Sequence, residues 1–518
     1  MTLTFKKASG KNHSFKKNSV YLNVNNWDDY SFKTTFNMTV VDSDGESHHL
    51  GEIKIGCVGQ DHGWTRDALD DEFPRLGEKF FSLGQGVDFY KKARALPVEL
   101  RNELLTALRD VVHNAKILRL ARNELVFKHS LLRTINFATI TEQFKRILDG
   151  GATLTEFHFG YEVTETSDRA GFNLRFDVLP NVRPSRNVHV LIGRNGVGKT
   201  TLLNGMIAAL VERKPPKSAG RFTDLSDEND AIITNGYFAG LVSVSFSAFD
   251  PFTPPQDKDD AAADDLRYSY IGLKNIVVNP DGTRCSEHKD LKTLAEDFGE
   301  SLLACLGSSD KTENWKDAIH YLESDLNFAD MDLCRFLEIT DSDLLSRRAR
   351  KAFEKMSSGH AMVLLTITKL VEKTGEKTLV IIDEPESHLH PPLLSAFIRS
   401  LSELLNKMNG VAIIATHSPV VLQEVPKGCV WKLYRTRLNA STERPKQETF
   451  GENVGVLTRD VFGLEAKKSG FHNLLTESVS EGKDYDQILE DYGGQLGFEG
   501  RALLRALVAN RNKEQGVV

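Results

Sequence analysis

The segment Gly193-Arg194-Asn195-Gly196-Val197-Gly198-Lys199-Thr200 constrains this chain more than any other. It satisfies G-x-x-x-x-G-K-[S/T] at every fixed position. With glycine at about 7% of residues, chance supplies roughly 0.02 such matches in a chain of this size. Its flanks agree with it: Val188, Val190 and Ile192 precede it in a short apolar run that reads as a buried strand, and Thr201-Leu202-Leu203-Asn204 opens a helical pattern after it. Glycines let successive backbone N–H groups wrap a polyphosphate, and the N-terminus of the following helix adds a favourable partial charge. The pattern predicts a site for ATP and Mg²⁺. Asn195, Gly196, Val197 and Gly198 present backbone, Lys199 a point charge for the β and γ phosphates, Thr200 a ligand for Mg²⁺ and Thr201 a donor to phosphate oxygen.

At 518 residues the chain has room for two to four domains of about 150 residues each. It is 40% hydrophobic and 26% charged, which places it among globular rather than disordered chains. The formal net charge of −7 argues against a broadly basic nucleic-acid coat and leaves room only for a local patch. The cysteines are scattered without a C-x-x-C pair and read as thiols of a reducing compartment. Residues 1–17 are polar and lysine-rich with no apolar core of a signal, and no apolar run approaches the ~18 residues of a membrane span. The expectation is a cytoplasmic protein with no membrane partner.

Residues 1–150 read as an N-terminal α+β region. Tyr21 to Val24 and Phe32 to Val41 alternate apolar and polar, Asp42-Ser43-Asp44-Gly45 is a turn, and Gly51 to Cys57 returns as a strand. Helical spacing follows from Leu96-Pro97 onward and near 115–128 and 138–149. Residues 151–255 carry the phosphate loop, fed by strands between Phe157 and Val178, with a further strand Leu241–Phe246 whose end, at Ser245 or Ser247, is where ATPases with such a loop place a polar residue near Mg²⁺. Residues 256–350 read as a helical insertion without heptads, and 253–267 as an acidic, exposed loop.

Residues 351–435 hold the second set of motifs. Met356-Ser357-Ser358-Gly359-His360 precedes an apolar helix, and Thr378–Ile382 is a fully apolar-leaning strand ending in Asp383-Glu384. Pro385-Glu386-Ser387-His388-Leu389-His390 follows, then a helix to Met408 that Gly410 is placed to end, then a strand Val411–Ala415 ending in Thr416-His417. A carboxylate at the end of a buried parallel strand is where such sheets gather ligands, so Asp383 suits Mg²⁺ and Glu384 suits general-base activation of water. His417, at the neighbouring strand end, suits a hydrogen bond to the γ-phosphate. Glu386, His388 and His390 together suggest a metal set, but a subunit-facing loop explains them better. Residues 436–518 read as a C-terminal helical region.

These motifs, in this order, resemble an ABC-type ATPase head. The spelling Asp383-Glu384-Pro385-Glu386-Ser387-His388-Leu389-His390 with Thr416-His417-Ser418-Pro419 is closer to RecF, SMC and OLD-like ATPases than to transporter subunits. The resemblance implies an α/β P-loop fold with a mixed, largely parallel sheet. It implies that Ser357, Ser358 and Gly359 form a signature capping the γ-phosphate bound to another copy, and hence a homodimer or higher homo-oligomer with ATP at the seam. His360 stands where Gln is usual, Met356 where Leu is usual and Ser358 where Gly is usual. The chain lacks the coiled coils of SMC proteins and the Toprim pattern of OLD nucleases.

Trp27 to Phe32, Phe80 to Gln85, Glu448 to Asn453 and Gly470-Phe471-His472 are similar to segments of PtuA, the ATPase subunits of Septu-type anti-phage systems. That resemblance implies an HNH nuclease partner (PtuB-like) and, in the retron-associated form, a reverse transcriptase with its msDNA. The bland reading of these segments is packing. Lys116, Arg119, Arg122, Lys128, Arg133, Lys145 and Arg146 read either as a solvated helix surface or as a nucleic-acid face. The preferred expectation is an ATPase gating a separate nuclease. A RecF-like repair ATPase clamping duplex DNA is the alternative, and an ATP-binding scaffold without turnover is the third reading.

Overall fold

Val188–Ile192, Thr378–Asp383 and Val411–Thr416 are buried at every position, as expected of strands covered on both faces. The computed structural model describes residues 3–8, 16–133, 135, 137–151, 154–212, 214–226, 231–233, 236–246, 252–258, 266–278, 284–466 and 470–514. Ser247 and residues 259–265 of the acidic stretch 253–267 lie outside the described residues.

The three buried strands belong to a seven-stranded sheet in the order Arg267–Gly272, Gly240–Ser245, Thr378–Asp383, Val411–Thr416, Val188–Ile192, Val430–Thr436, Asn439–Glu443. All are parallel except the last, which pairs antiparallel with Val430–Thr436 as a hairpin. The expected mixed, largely parallel α/β sheet is therefore present. The strand Val411–Thr416, which His417 follows, lies between the phosphate-loop strand and the Asp383 strand. Its register sets Thr416 beside Ile192 and Ala415 beside Asp383.

The strands expected to feed the phosphate loop instead build a second, antiparallel sheet: Phe172–Val178, Phe157–Val163, Arg221–Asp224 and Ala231–Ile232. Its inward aromatics Phe159, Phe176 and Phe222 share one core with Leu202, Leu203 and Met206 of the helix Lys199–Val211. That helix is thus clamped between two sheets. On the other face of the central sheet pack the helices Leu291–Leu306, Ser309–Leu322, Ser342–Phe353, Ser358–Lys373 and Pro391–Met408. There Trp315 is fully buried and its indole N–H donates to Thr368 Oγ1 at 3.0 Å. Residues 256–350 are not helical throughout. Arg267–Gly272 joins the central sheet and Lys274–Val278 pairs with Arg284–His288, so helix begins only at Leu291.

The N-terminal residues form a six-stranded sheet with its own core, covered by Val87–Ala95, Val98–Ala107 and shorter helical turns. Inside it Asp29, fully buried, is paired with Lys54 Nζ at 2.7 Å and Arg133 Nη1 at 2.9 Å. Of the basic residues read as a possible nucleic-acid face, Arg133 is thus committed to Asp29, Lys145 to Asp149 and Arg146 to Glu376. Arg146–Glu376 (3.2 Å) and Lys377–Glu142 (2.5 Å) also join this region to the base of the Asp383 strand. At the other end of the chain Phe471–Ser480, Tyr485–Asp491 and Phe498–Glu514 form a small helical cluster around Leu475, Ile488 and Leu504. No helix among the described residues is long and apolar enough to cross a membrane.

Candidate functional site

The phosphate loop joins Val188–Ile192 to Lys199–Val211 by a backbone that only glycine adopts cheaply at two points, Gly196 at φ +84° and Gly198 at φ +99°. Gly193 is required for a different reason: a Cβ there would lie 2.6 Å from the Leu433 carbonyl oxygen. Lys199 is 4% exposed and folds back over the loop, donating to the Gly193 and Arg194 carbonyls at 3.0 and 3.1 Å. Burial pulls its ammonium below the ordinary lysine value, against the opposing pull of Glu384, Asp383 and Glu386. A phosphate entering the loop would offer Lys199 a charged acceptor in place of two carbonyls.

The Thr200 hydroxyl donates to Asp383 Oδ2 at 2.7 Å. Two hard oxygen ligands thus sit side by side at the first turn of the helix, a donor set that fits Mg²⁺. Ser245 lies in register with Asp383 on the adjoining strand. Glu384 takes a left-handed backbone at φ +45°, ψ 60°, while its N–H donates to Ala415 O at 2.9 Å. Such a conformation costs a non-glycine residue about 1–3 kcal/mol and persists where surrounding structure imposes it. Glu384 Oε1 lies 4.0 Å from Lys199 Nζ and 3.8 Å from His417 Nδ1.

The sequence placed Glu386 only in a possible metal set and did not reveal its role beside His417. The turn Pro385–His388 carries it back to the end of the neighbouring strand. There Oε1 accepts from Thr416 Oγ1 and the His417 N–H, both at 2.6 Å, and faces His417 Nδ1 at 3.0 Å. A carboxylate only accepts, so His417 Nδ1 carries the proton and Nε2 is left facing away from it. The available signal was a third acid, three residues after Asp383 and just past a proline that pre-sets a turn. His388, His390 and Glu386 do not converge on one point. His388 Nε2 donates to Phe246 O at 3.1 Å, whereas His390 caps the helix Pro391–Met408 by accepting from Leu393 N–H.

Gly359 is buried against this turn, where a Cβ would come 2.6 Å from His388 O. Ser357 and Ser358 are exposed. No hydrogen bond or ion pair among the described residues joins either serine to the phosphate loop, Glu384 or His417; the Ser357 hydroxyl is bonded to His360 instead. One chain therefore brings together Lys199, Thr200, Asp383, Glu384 and His417, with Asn195, Gly196, Val197, Gly198 and Thr201 on the loop and helix start, and leaves Ser357 and Ser358 apart.

Fold and site define a protein with an α/β P-loop ATPase fold. Residues 188–423 match the family model described as "AAA domain, putative AbiEii toxin, Type IV TA system". The chain belongs to the family of Protein ea59 of Escherichia phage lambda, to which it is 45% identical over 515 residues, 96% of each chain. Among solved structures, a nucleotide-free ATP-binding cassette from an ABC transporter aligns with a TM-score of 0.29 and 15% identity, over 60% of this chain and 96% of that one. The SMC head domain from Thermotoga maritima aligns with a TM-score of 0.27 and 13% identity, over 57% and 100% respectively.

Proposed function

We propose that this chain hydrolyses ATP in composite sites built by two copies, and that closing the pair gates a separate effector. One observation carries the reading. The helix Ser358–Lys373 runs back toward the start of the strand Thr378–Asp383, so its N-terminus and the strand's carboxyl end share one end of the sheet. Ser357 and Ser358 are exposed at that end, and among the described residues no hydrogen bond or ion pair ties either to the phosphate loop, Glu384 or His417. A second copy set head to tail would supply the missing cap to each nucleotide.

In this reading the loop amides and Lys199 hold the phosphates, and Thr200 with Asp383 would hold Mg²⁺. The metal, when bound, neutralises phosphate charge as a Lewis acid. Glu384 accepts a proton from the attacking water, with Lys199 and His417 within 4.0 Å of its carboxylate. His417, its ring fixed by Glu386, holds the γ-phosphate side of that water. The resemblance to Septu-type ATPase subunits supports an HNH nuclease as the effector, joined in retron-associated forms by a reverse transcriptase and msDNA.

Binding is tested with Lys199→Ala, which is expected to lose nucleotide; retention at wild-type strength removes the whole reading. Pairing is tested with Glu384→Gln, which should bind ATP without turnover and sediment as a dimer only when ATP is present. The effector is tested by purifying the native complex: a small His/Cys-bearing nuclease is expected to accompany the chain, and recovery of the chain alone removes that part. Steeply salt-dependent duplex binding by the isolated chain would favour the RecF-like alternative instead.

A further inference from the structure

We infer that Asp325 and His360 are positioning residues for the Ser357 hydroxyl, and that closing the composite site takes up a proton at His360. The inference rests on the composite-site reading above. Its starting point is a line of side chains from three separate elements: Ser357 and His360 at the start of the helix Ser358–Lys373, Asp325 before the helix Leu326–Met331, and His390 before Pro391–Met408.

The direction of every hydrogen bond in this line follows from elementary donor and acceptor chemistry. Asp325 accepts from the Asn327 and Phe328 N–H groups at 2.9 and 3.3 Å. Burial alone would raise its carboxyl, but the hydrogen bonds from His360, Phe328 and Asn327 outweigh it and hold the group below the ordinary carboxylate range. An ionised carboxylate only accepts. His360 Nε2, 3.2 Å from Asp325 Oδ1, is therefore the donor, and in the neutral imidazole Nδ1 then carries a lone pair. The Ser357 hydroxyl, 2.6 Å from that lone pair, donates to it. His390 fits the same scheme from the far side. Its Nδ1 accepts from Leu393 N–H at 3.4 Å, so its Nε2 carries a proton toward Asp325 Oδ2, also at 3.4 Å.

Asp325, His360 and His390 have ligand atoms within 4.8 Å of one another, a spacing open to a metal ion. The proton on His390 Nε2 argues against one, because no lone pair is left there to coordinate it. The charged and titratable groups facing His360 are Asp325 and, with ring centroids 6.1 Å away, His390; the Phe328 ring lies 5.2 Å from it.

A serine has one hydroxyl proton. In the chain as it stands that proton is committed to His360, and the exposed side of Ser357 offers lone pairs. A phosphate oxygen is also an acceptor, so the two repel. Adding a proton from solvent to His360 Nδ1 reverses the bond: Nδ1–H donates to Ser357 Oγ, and the serine proton turns to the γ-phosphate of the opposite copy. Only an N–H bond is formed, and no heavy-atom bond is made or broken. The arriving phosphate supplies the negative charge that favours the second proton. Glutamine at this position would donate by turning its amide, with no proton taken up.

The test measures ATP-induced dimerisation of full-length Glu384→Gln by sedimentation from about pH 5.5 to about pH 8.5, across the histidine range. The expected dimer weakens with rising pH, by up to about tenfold per pH unit for each composite site. His360→Gln in the same background should keep the dimer and lose that part of the pH slope. Ser357→Ala, an exposed change that leaves the fold intact, should lose it too. An unchanged slope in both variants overturns the inference. Absence of an ATP-induced dimer at every pH, with ATP still bound, instead removes the composite-site reading and this inference with it.

Discussion

The Thr200 hydroxyl donates to Asp383 Oδ2 at 2.7 Å, although the strands that lead to the two residues are not neighbours in the sheet. The helix start after Val188–Ile192 reaches across the end of Val411–Thr416 to meet the third strand. Two groups that each suit a hard cation are held together before any ion arrives, so little reorganisation is left for binding.

Asp383→Asn keeps an acceptor for Thr200 and should leave the fold intact, but it removes the charge. ATP turnover should fall by on the order of 100-fold, with a higher Mg²⁺ concentration needed for what remains. A magnesium titration of turnover checks this, and an unchanged Mg²⁺ requirement would count against Asp383 as a ligand.

Glu384 combines a proposed catalytic carboxylate with a left-handed backbone. Glu384→Gly should abolish turnover and raise stability by about 1 kcal/mol, because glycine meets φ +45° without strain. Glu384→Gln should abolish turnover with no such gain. Urea unfolding of the two variants side by side separates the effects.

Glu386→Ala would leave the Thr416 hydroxyl and the His417 N–H without their acceptor, and should cost about 1–3 kcal/mol of stability together with much of the turnover. Glu386→Gln retains an acceptor oxygen and should recover most of the stability. Equal loss in the two variants would show that charge, rather than acceptance, holds the strand end.

Glu376, where the N-terminal region meets the head, is buried, and burial pushes its carboxyl up to about 7 despite Asn409 and Arg146. With a folded value above the unfolded one, its contribution is fully present below the unfolded pKa of about 4.5 and is lost as pH rises through about 7. The loss is on the order of 3 kcal/mol at most. Glu376→Gln should therefore unfold at a higher temperature than the parent at pH 8 and show no such advantage near pH 4.5. Parallel melting curves across pH would exclude this titration.

The phosphate loop, the buried Asp383 strand and the helix after each were legible because local spacing specifies them. Gly196 and Gly198 must take positive φ wherever they fold, and an apolar run of five with no alternation reads as a covered strand in any context. Helix ends were less legible. Gly410 was the expected terminator of Pro391–Met408, yet Asn409 takes the left-handed position at φ +52°. It does so because its amide reaches Glu376 and Thr155 at 2.7 and 2.8 Å, partners distant in the chain. The strands before the loop were recognisable as strands, but nothing in their alternation told that they would pair with Arg221–Asp224 instead of joining the central sheet.

By itself, then, the order of residues determined that a polyphosphate loop, two carboxylates at a strand end and a histidine at another would exist. Each is encoded within a few residues by backbone sterics and side-chain period. Only the tertiary structure decided that Val411–Thr416 separates the two acidic and glycine-bearing strands, that Glu386 holds His417, and that Asp325 and His360 hold Ser357. Those relationships depend on which strands pair and which helices pack across the sheet, and the burial energy that selects them is summed over the whole core rather than written in any one segment.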